Sequence, residues 1–162
     1  GTLVLFSSRR QLQEVHEALE SKFGDSLLIQ GVMSKAEIIA EHRKRIDSNL
    51  PSVIFGLASF AEGVDLPGEY CEHVIIAKLP FAAPDNPIDA AHAELLEAEG
   101  RNSFMELTVP SASFRLLQAC CRLLRSATDE GTITLLDTRI ASKRYGRAIL
   151  ETLPRFTFDI QG

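Results

Sequence analysis

Short apolar runs alternate along this chain with longer amphipathic ones, and that alternation restricts the fold more than any other feature. Leu3-Val4-Leu5-Phe6, Leu27-Leu28-Ile29-Gln30, Ser52-Val53-Ile54-Phe55-Gly56-Leu57, His73-Val74-Ile75-Ile76-Ala77-Lys78-Leu79 and Thr132-Ile133-Thr134-Leu135-Leu136-Asp137 are strand-length and largely apolar. Such runs suit strands buried on both faces of a parallel sheet. Between them, residues 9–23 place Leu12, Val15, His16, Leu19 and Phe23 on one side of a helix that Gly24-Asp25 stops. Ser34 followed by Glu37 is a capping-box signature for a helix to about Ser48, broken by Asn49-Leu50-Pro51. Further helices are expected from about Ile88 to Glu99, from Pro110-Ser111 to about Ser126, and over residues 142–152. The expected fold is therefore α/β, a three-layer domain with a mostly parallel sheet flanked by helices.

At 162 residues, with 45% hydrophobic and 24% charged residues, the chain suits one soluble globular domain, residues 1–162. It shows no internal repeat and no linker. No apolar run approaches the ~20 residues of a membrane-spanning helix, so no membrane partner is expected. The chain begins inside an apolar strand without an initiator Met, which reads as a piece of a larger protein. Cys71, Cys120 and Cys121 are odd in number and lack C-x-x-C spacing. That pattern indicates neither a disulfide framework nor a zinc site, and a reducing, cytoplasmic setting fits it. The histidines do not cluster with carboxylates at ligand spacing, so no metal ligand is assigned. A formal net charge of −5 gives no general affinity for nucleic acid, and leaves room only for local basic contacts.

In an open parallel sheet, ligands collect at the carboxyl ends of the strands. After the first strand stand Ser7, Ser8, Arg9 and Arg10, hydroxyls and guanidiniums at a helix start, which suit either a phosphate or simple helix capping. After the third strand comes the long loop Ala58–Gly68, where Gly63 and Gly68 permit close backbone approach and Glu62 and Asp65 offer acceptors. Taken alone, the loop is better read as a plain surface turn whose glycines serve geometry. In the helix opened by Ser111, Arg115, Gln118, Arg122 and Arg125 fall within roughly 80° of arc opposite a leucine face. The stripe is either a solvated basic face or a clamp for phosphate oxygens. The basic run His42-Arg43-Lys44-Arg45 reads as a solvated helix end. No G-x-x-x-x-G-K-[ST] occurs, so the chain alone lacks the usual means to cradle a nucleoside triphosphate.

Taken together, these segments resemble the C-terminal RecA-like domain of superfamily 2 helicases of the DinG/XPD type, the bacterial DinG group most of all. Leu3 to Arg10 is similar to motif IV, and Phe55 to Gly68 to motif V. Gln118 to Arg125 is similar to motif VI, and the tail Ser126-Ala127-Thr128-Asp129-Glu130-Gly131, Asp137-Thr138-Arg139, Tyr145-Gly146 and Leu153-Pro154 agrees as well. The resemblance implies that Arg122 and Arg125 reach the γ-phosphate of ATP, with Gln118 sensing nucleotide. It implies that Glu62, Gly63 and Asp65 couple the nucleotide to the DNA track, and that Ser7, Ser8, Arg9 and Ser59 touch the backbone of single-stranded DNA. It further implies a 5′ to 3′ helicase whose ATP and Mg2+ are held mainly by an N-terminal motor domain of the same polypeptide. An iron–sulfur cluster, where the parent carries one, belongs to that other half, and the fragment alone is expected to be inactive. The alternatives are a non-catalytic α/β module binding nucleic acid or protein, and a small complete enzyme. For the latter no Ser-His-Asp, Cys-His or paired-carboxylate arrangement stands out. One departure from the family pattern is Cys121, where the family has glycine before its first motif VI arginine.

Overall fold

The computed structural model describes residues 1–81, 87–122, 130–154, 156, 157 and 159. Five strands, β1 (Thr2–Phe6), β2 (Leu27–Ile29), β3 (Val53–Leu57), β4 (His73–Ile76) and β5 (Thr132–Leu135), form one sheet in the order β2-β3-β1-β4-β5. Every neighbouring pair is parallel. The apolar runs produce this because a parallel strand in the middle of such a sheet has no wet face and therefore needs no polar alternation. The expectation of an α/β fold with helices flanking a mostly parallel sheet holds.

Helix α1 (Arg9–Phe23) connects β1 to β2 and helix α2 (Lys35–Asp47) connects β2 to β3. The two crossings run in opposite directions across the sheet, so right-handed connections put these helices on opposite faces. On the α1 side, Val4, Phe6, Ile29, Phe55 and Ala77 pack with Leu12, and the Phe6 and Phe55 rings meet edge to face at 5.0 Å. By the twofold pleat, Leu3, Leu5, Leu28, Ile54, Val74 and Ile76 turn to the other face. All six are buried, as are Ile38 and His42 of α2.

The helix starts are capped as the sequence implies. The Ser8 side chain accepts from the Gln11 N–H, and Ser34 and Glu37 form a complete capping box. Beyond these come a short helix α3 (Ala58–Ala61), a 3-10 turn over Gly68–Cys71, α4 (Pro87–Ala98), α5 (Val109–Cys120), α6 (Arg139–Ser142) and α7 (Arg144–Glu151). Helix α5 is preceded by a π-helical turn, Phe104–Thr108, and ends at Cys120. Cys121 and Arg122 form a turn, which corrects the expectation of an unbroken helix through this point; residues 123–129 lie outside the described residues.

The chain divides into two compact units, Gly1–Lys78 with Ala119–Leu136, and Leu79–Gln118 with Asp137–Gly162. The first contains the whole sheet. In the second, the Asp137 carboxylate accepts the Leu79 N–H at 2.9 Å and pairs with Arg139 at 2.6 Å. The Arg139 guanidinium lies 5.4 Å from the centre of the Phe81 ring, which packs with Phe104 and Tyr145. No helix among the described residues is long and apolar enough to cross a membrane.

Candidate functional site at the strand tips

Since all strands are parallel, their carboxyl ends share one edge of the sheet. Phe6 and Leu57 are register partners on the adjacent strands β1 and β3, so the segments beginning at Ser7 and Ala58 leave the sheet side by side. The structure thus brings the serine–arginine segment and the long glycine-bounded loop together. Ser7, Ser8, Arg9 and Ser59 are all exposed. Ser8 caps α1, while the Ser7 hydroxyl donates to the Gln11 side-chain oxygen at 3.2 Å. Arg10, next in line, is engaged with Glu14 at 2.8 Å.

The loop after β3 is built from both ends. At Gly56 an added Cβ would meet Phe60 Cβ and Cγ at 2.8 Å, so glycine is what lets the Phe60 ring fold back onto the strand. Phe60, Val64 and Leu66 are then buried, and the residues between them are forced outward. Glu62 and Asp65 present exposed side chains, and Gly63 adopts φ +68°, a conformation costly for any other residue. The Gln30 side-chain oxygen accepts the Leu57 N–H at 2.7 Å and fixes the point where the loop departs.

Three cationic side chains hold this loop by its carbonyls. Lys35 Nζ donates to Glu62 O. Arg43 Nη2 donates to Asp65 O at 2.8 Å, and Arg122 Nη1 to Val64 O at 3.2 Å. The Nε of Arg43 and that of Arg122 are both buried without a hydrogen-bond partner. Arg122 is half-buried against the loop, and among the described residues its hydrogen-bond partner is a main-chain carbonyl. Gln118 and Arg115 are exposed on α5, Cys121 is exposed in the turn after it, and Arg125 lies outside the described residues.

The basic run of α2 departs from the solvated helix end read from the sequence. His42 is fully buried, with Nε2 at 2.7 Å from the Tyr70 carbonyl and Nδ1 at 2.8 Å from the Ser52 hydroxyl. A carbonyl only accepts, so Nε2 carries the proton and Nδ1 accepts from Ser52. Burial pushes this imidazole below its usual range, the bond to Tyr70 opposing the shift, and it stays neutral. Arg43 packs its guanidinium 5.4 Å from the Tyr70 ring centre, and the Tyr70 hydroxyl donates to Asp47 at 2.7 Å. Nothing in the sequence signals that Lys35 and Arg43 hold this loop, because a cation that binds a carbonyl leaves no charge partner to find. Among the described residues, no group of three or more His, Cys, Asp or Glu side chains is placed to hold a metal ion.

The sequence profile of the helicase C-terminal domain matches residues 1–156. The chain is 44% identical over 159 residues to an "ATP-dependent DNA helicase DinG" of Photobacterium profundum, covering 96% of this chain and 23% of that protein. It is 40% identical over 155 residues to a "3'-5' exonuclease DinG" of Bacillus subtilis, covering 94% of this chain and 16% of the relative. The chain thus spans about a quarter or less of the curated relatives it matches. Among solved structures, an XPD helicase superposes with a TM-score of 0.67 at 20% identity, over 93% of this chain and 27% of that one. The S. tokodaii Xpd4 structure gives 0.64 at 17% identity, over 97% and 30% respectively. At that identity the likeness concerns the fold, which is RecA-like.

Proposed function

We propose, since the chain belongs to the helicase C-terminal domain family, that it serves as the second motor domain of an ATP-dependent 5′ to 3′ DNA helicase. One observation carries the reading: Arg122 is anchored on the loop that follows β3, at the carboxyl edge of the sheet. A guanidinium there is held near the place where a nucleotide bound by a facing motor domain would present its γ-phosphate. Planar and permanently charged, it stabilises the charge that spreads over the phosphoryl oxygens during transfer. Arg125 is assigned the same task and Gln118 the sensing of nucleotide. Glu62, Gly63 and Asp65 couple the nucleotide to the DNA track, and Ser7, Ser8, Arg9 and Ser59 contact the backbone of single-stranded DNA. Phosphate contacts of this kind carry no sequence information, which suits a motor that tracks any strand.

ATP is the substrate, and the facing N-terminal motor domain of the same polypeptide holds most of it, together with magnesium. An iron–sulfur cluster, where the full-length protein has one, sits in that half as well. The 162-residue chain by itself therefore turns over no ATP. Replacing Arg122 and Arg125 singly by Ala in the full-length protein tests the assignment. DNA-stimulated ATP hydrolysis should fall by about 10³-fold or more, the usual worth of an arginine finger, while binding of single-stranded DNA persists. Undiminished hydrolysis in both variants contradicts it.

A further inference from the structure

Helix α2 runs alongside the loop that follows β3 and holds it at successive points. Lys35, in its first turn, takes the Glu62 carbonyl and lies 5.4 Å from the Phe60 ring centre. Two turns later Arg43 takes the Asp65 carbonyl at 2.8 Å. One turn beyond, Asp47 accepts the Tyr70 hydroxyl at 2.7 Å, while His42 holds the carbonyl of the same tyrosine. From Lys35 to Asp47 the helix rises roughly 18 Å, long enough to span the loop from Glu62 to Tyr70. The Arg43 head is fixed at one nitrogen by Asp65 and on its face by Tyr70, although its Nε is buried with no partner. A buried donor left unsatisfied is unfavourable, and is kept only where the other contacts of the group outweigh it.

We infer that α2 is a splint for this loop and that Arg43 is a positioning residue, setting where Glu62 and Asp65 point. The inference rests on the proposed coupling of nucleotide to DNA by Glu62, Gly63 and Asp65. A loop free to deform would absorb a displacement at its nucleotide end. One pinned by three carbonyls to a rigid helix passes that displacement on. Arg43 itself touches neither nucleotide nor DNA; it acts through the loop.

The test uses the full-length helicase carrying this domain and measures bases translocated per ATP hydrolysed in Arg43→Met, Lys35→Met and Asp65→Asn. A merely structural defect reduces the amount of working enzyme, scales both rates equally and leaves the ratio alone. Loss of the splint should lower the ratio by at least about threefold in Arg43→Met and in Lys35→Met, with Arg43→Lys keeping more than about half of it. A normal ratio in Arg43→Met and Lys35→Met, with a lowered one in Asp65→Asn, overturns the splint and leaves the loop's role standing. A normal ratio in all three overturns both. Should Arg43→Met fail to fold, Lys35→Met decides by itself, since it loosens the other end of the loop from a partly exposed position.

Discussion

Cys121 is exposed in the turn after α5, and its surroundings make it unlike the cysteine beside it. Cys120 is buried at the end of α5 and burial pushes its thiol up to about 12; Cys71 is likewise raised to about 11. The thiolate is the reactive form, so both are inert in the folded protein. A maleimide at neutral pH should modify Cys121 within minutes and the other two only after unfolding, as mass spectrometry of the labelled peptides would reveal. Asp137 behaves in the opposite sense. The Arg139 guanidinium beside it, with the Leu79 and Arg139 N–H groups, holds its carboxyl near 2 against an ordinary 3.8, burial opposing the shift. A carboxyl depressed on folding contributes stability above the unfolded value, and that contribution disappears as the pH falls through about 2. Arg139 is 42% exposed, so solvent weakens the pair. Asp137→Asn should cost about 1–2 kcal/mol at pH 7 and progressively less toward pH 2, measured by urea unfolding at each pH.

Gly146, within α7, shows why an element can require a residue that weakens it locally. Glycine inside a helix costs about 1 kcal/mol relative to alanine. At this position a Cβ would run into the backbone of Ile140 and Arg139, so only glycine lets α7 close on α6. Gly146→Ala should therefore destabilise by at least about 2 kcal/mol despite its better helix propensity, measured by thermal or urea unfolding. Periodicity and capping chemistry make most elements legible in the sequence: α1 and α2 fall where the apolar faces and the Ser34–Glu37 signature put them. The start of α5 is legible to within a residue, Pro110-Ser111 against Val109, but the turn that leads into it is not. The chain enters it through a π-helical turn at Phe104–Thr108, and a turn that adds one residue leaves no period of its own in a sequence. Its end is obscured for a related reason, because the leucine and arginine pattern continues past Cys120 in helical register although the α-helix stops there. At the site, hydroxyls, glycines and acids after the strands are readable from their types. The hold of Lys35 and Arg43 on loop carbonyls is not, since any residue supplies a carbonyl.

Over the whole molecule, the proposed chemistry is that of one half of a motor. A sheet with one site-bearing edge supplies cations and loop acceptors, and the triphosphate comes from elsewhere. The net charge of −5 fits such a part, because binding through a few local contacts needs no basic surface overall. In the proposed motor, Arg122 acts on the transition state of a nucleotide held by another domain. Trapping ADP with aluminium fluoride and magnesium in the full-length protein reads that most directly, since the planar fluoride mimics the phosphoryl group in flight. Arg122→Ala should bind ADP within about twofold of the unaltered protein yet fail to retain the fluoride complex. If the variant traps the complex as tightly as the unaltered protein does, Arg122 plays no part in the chemical step.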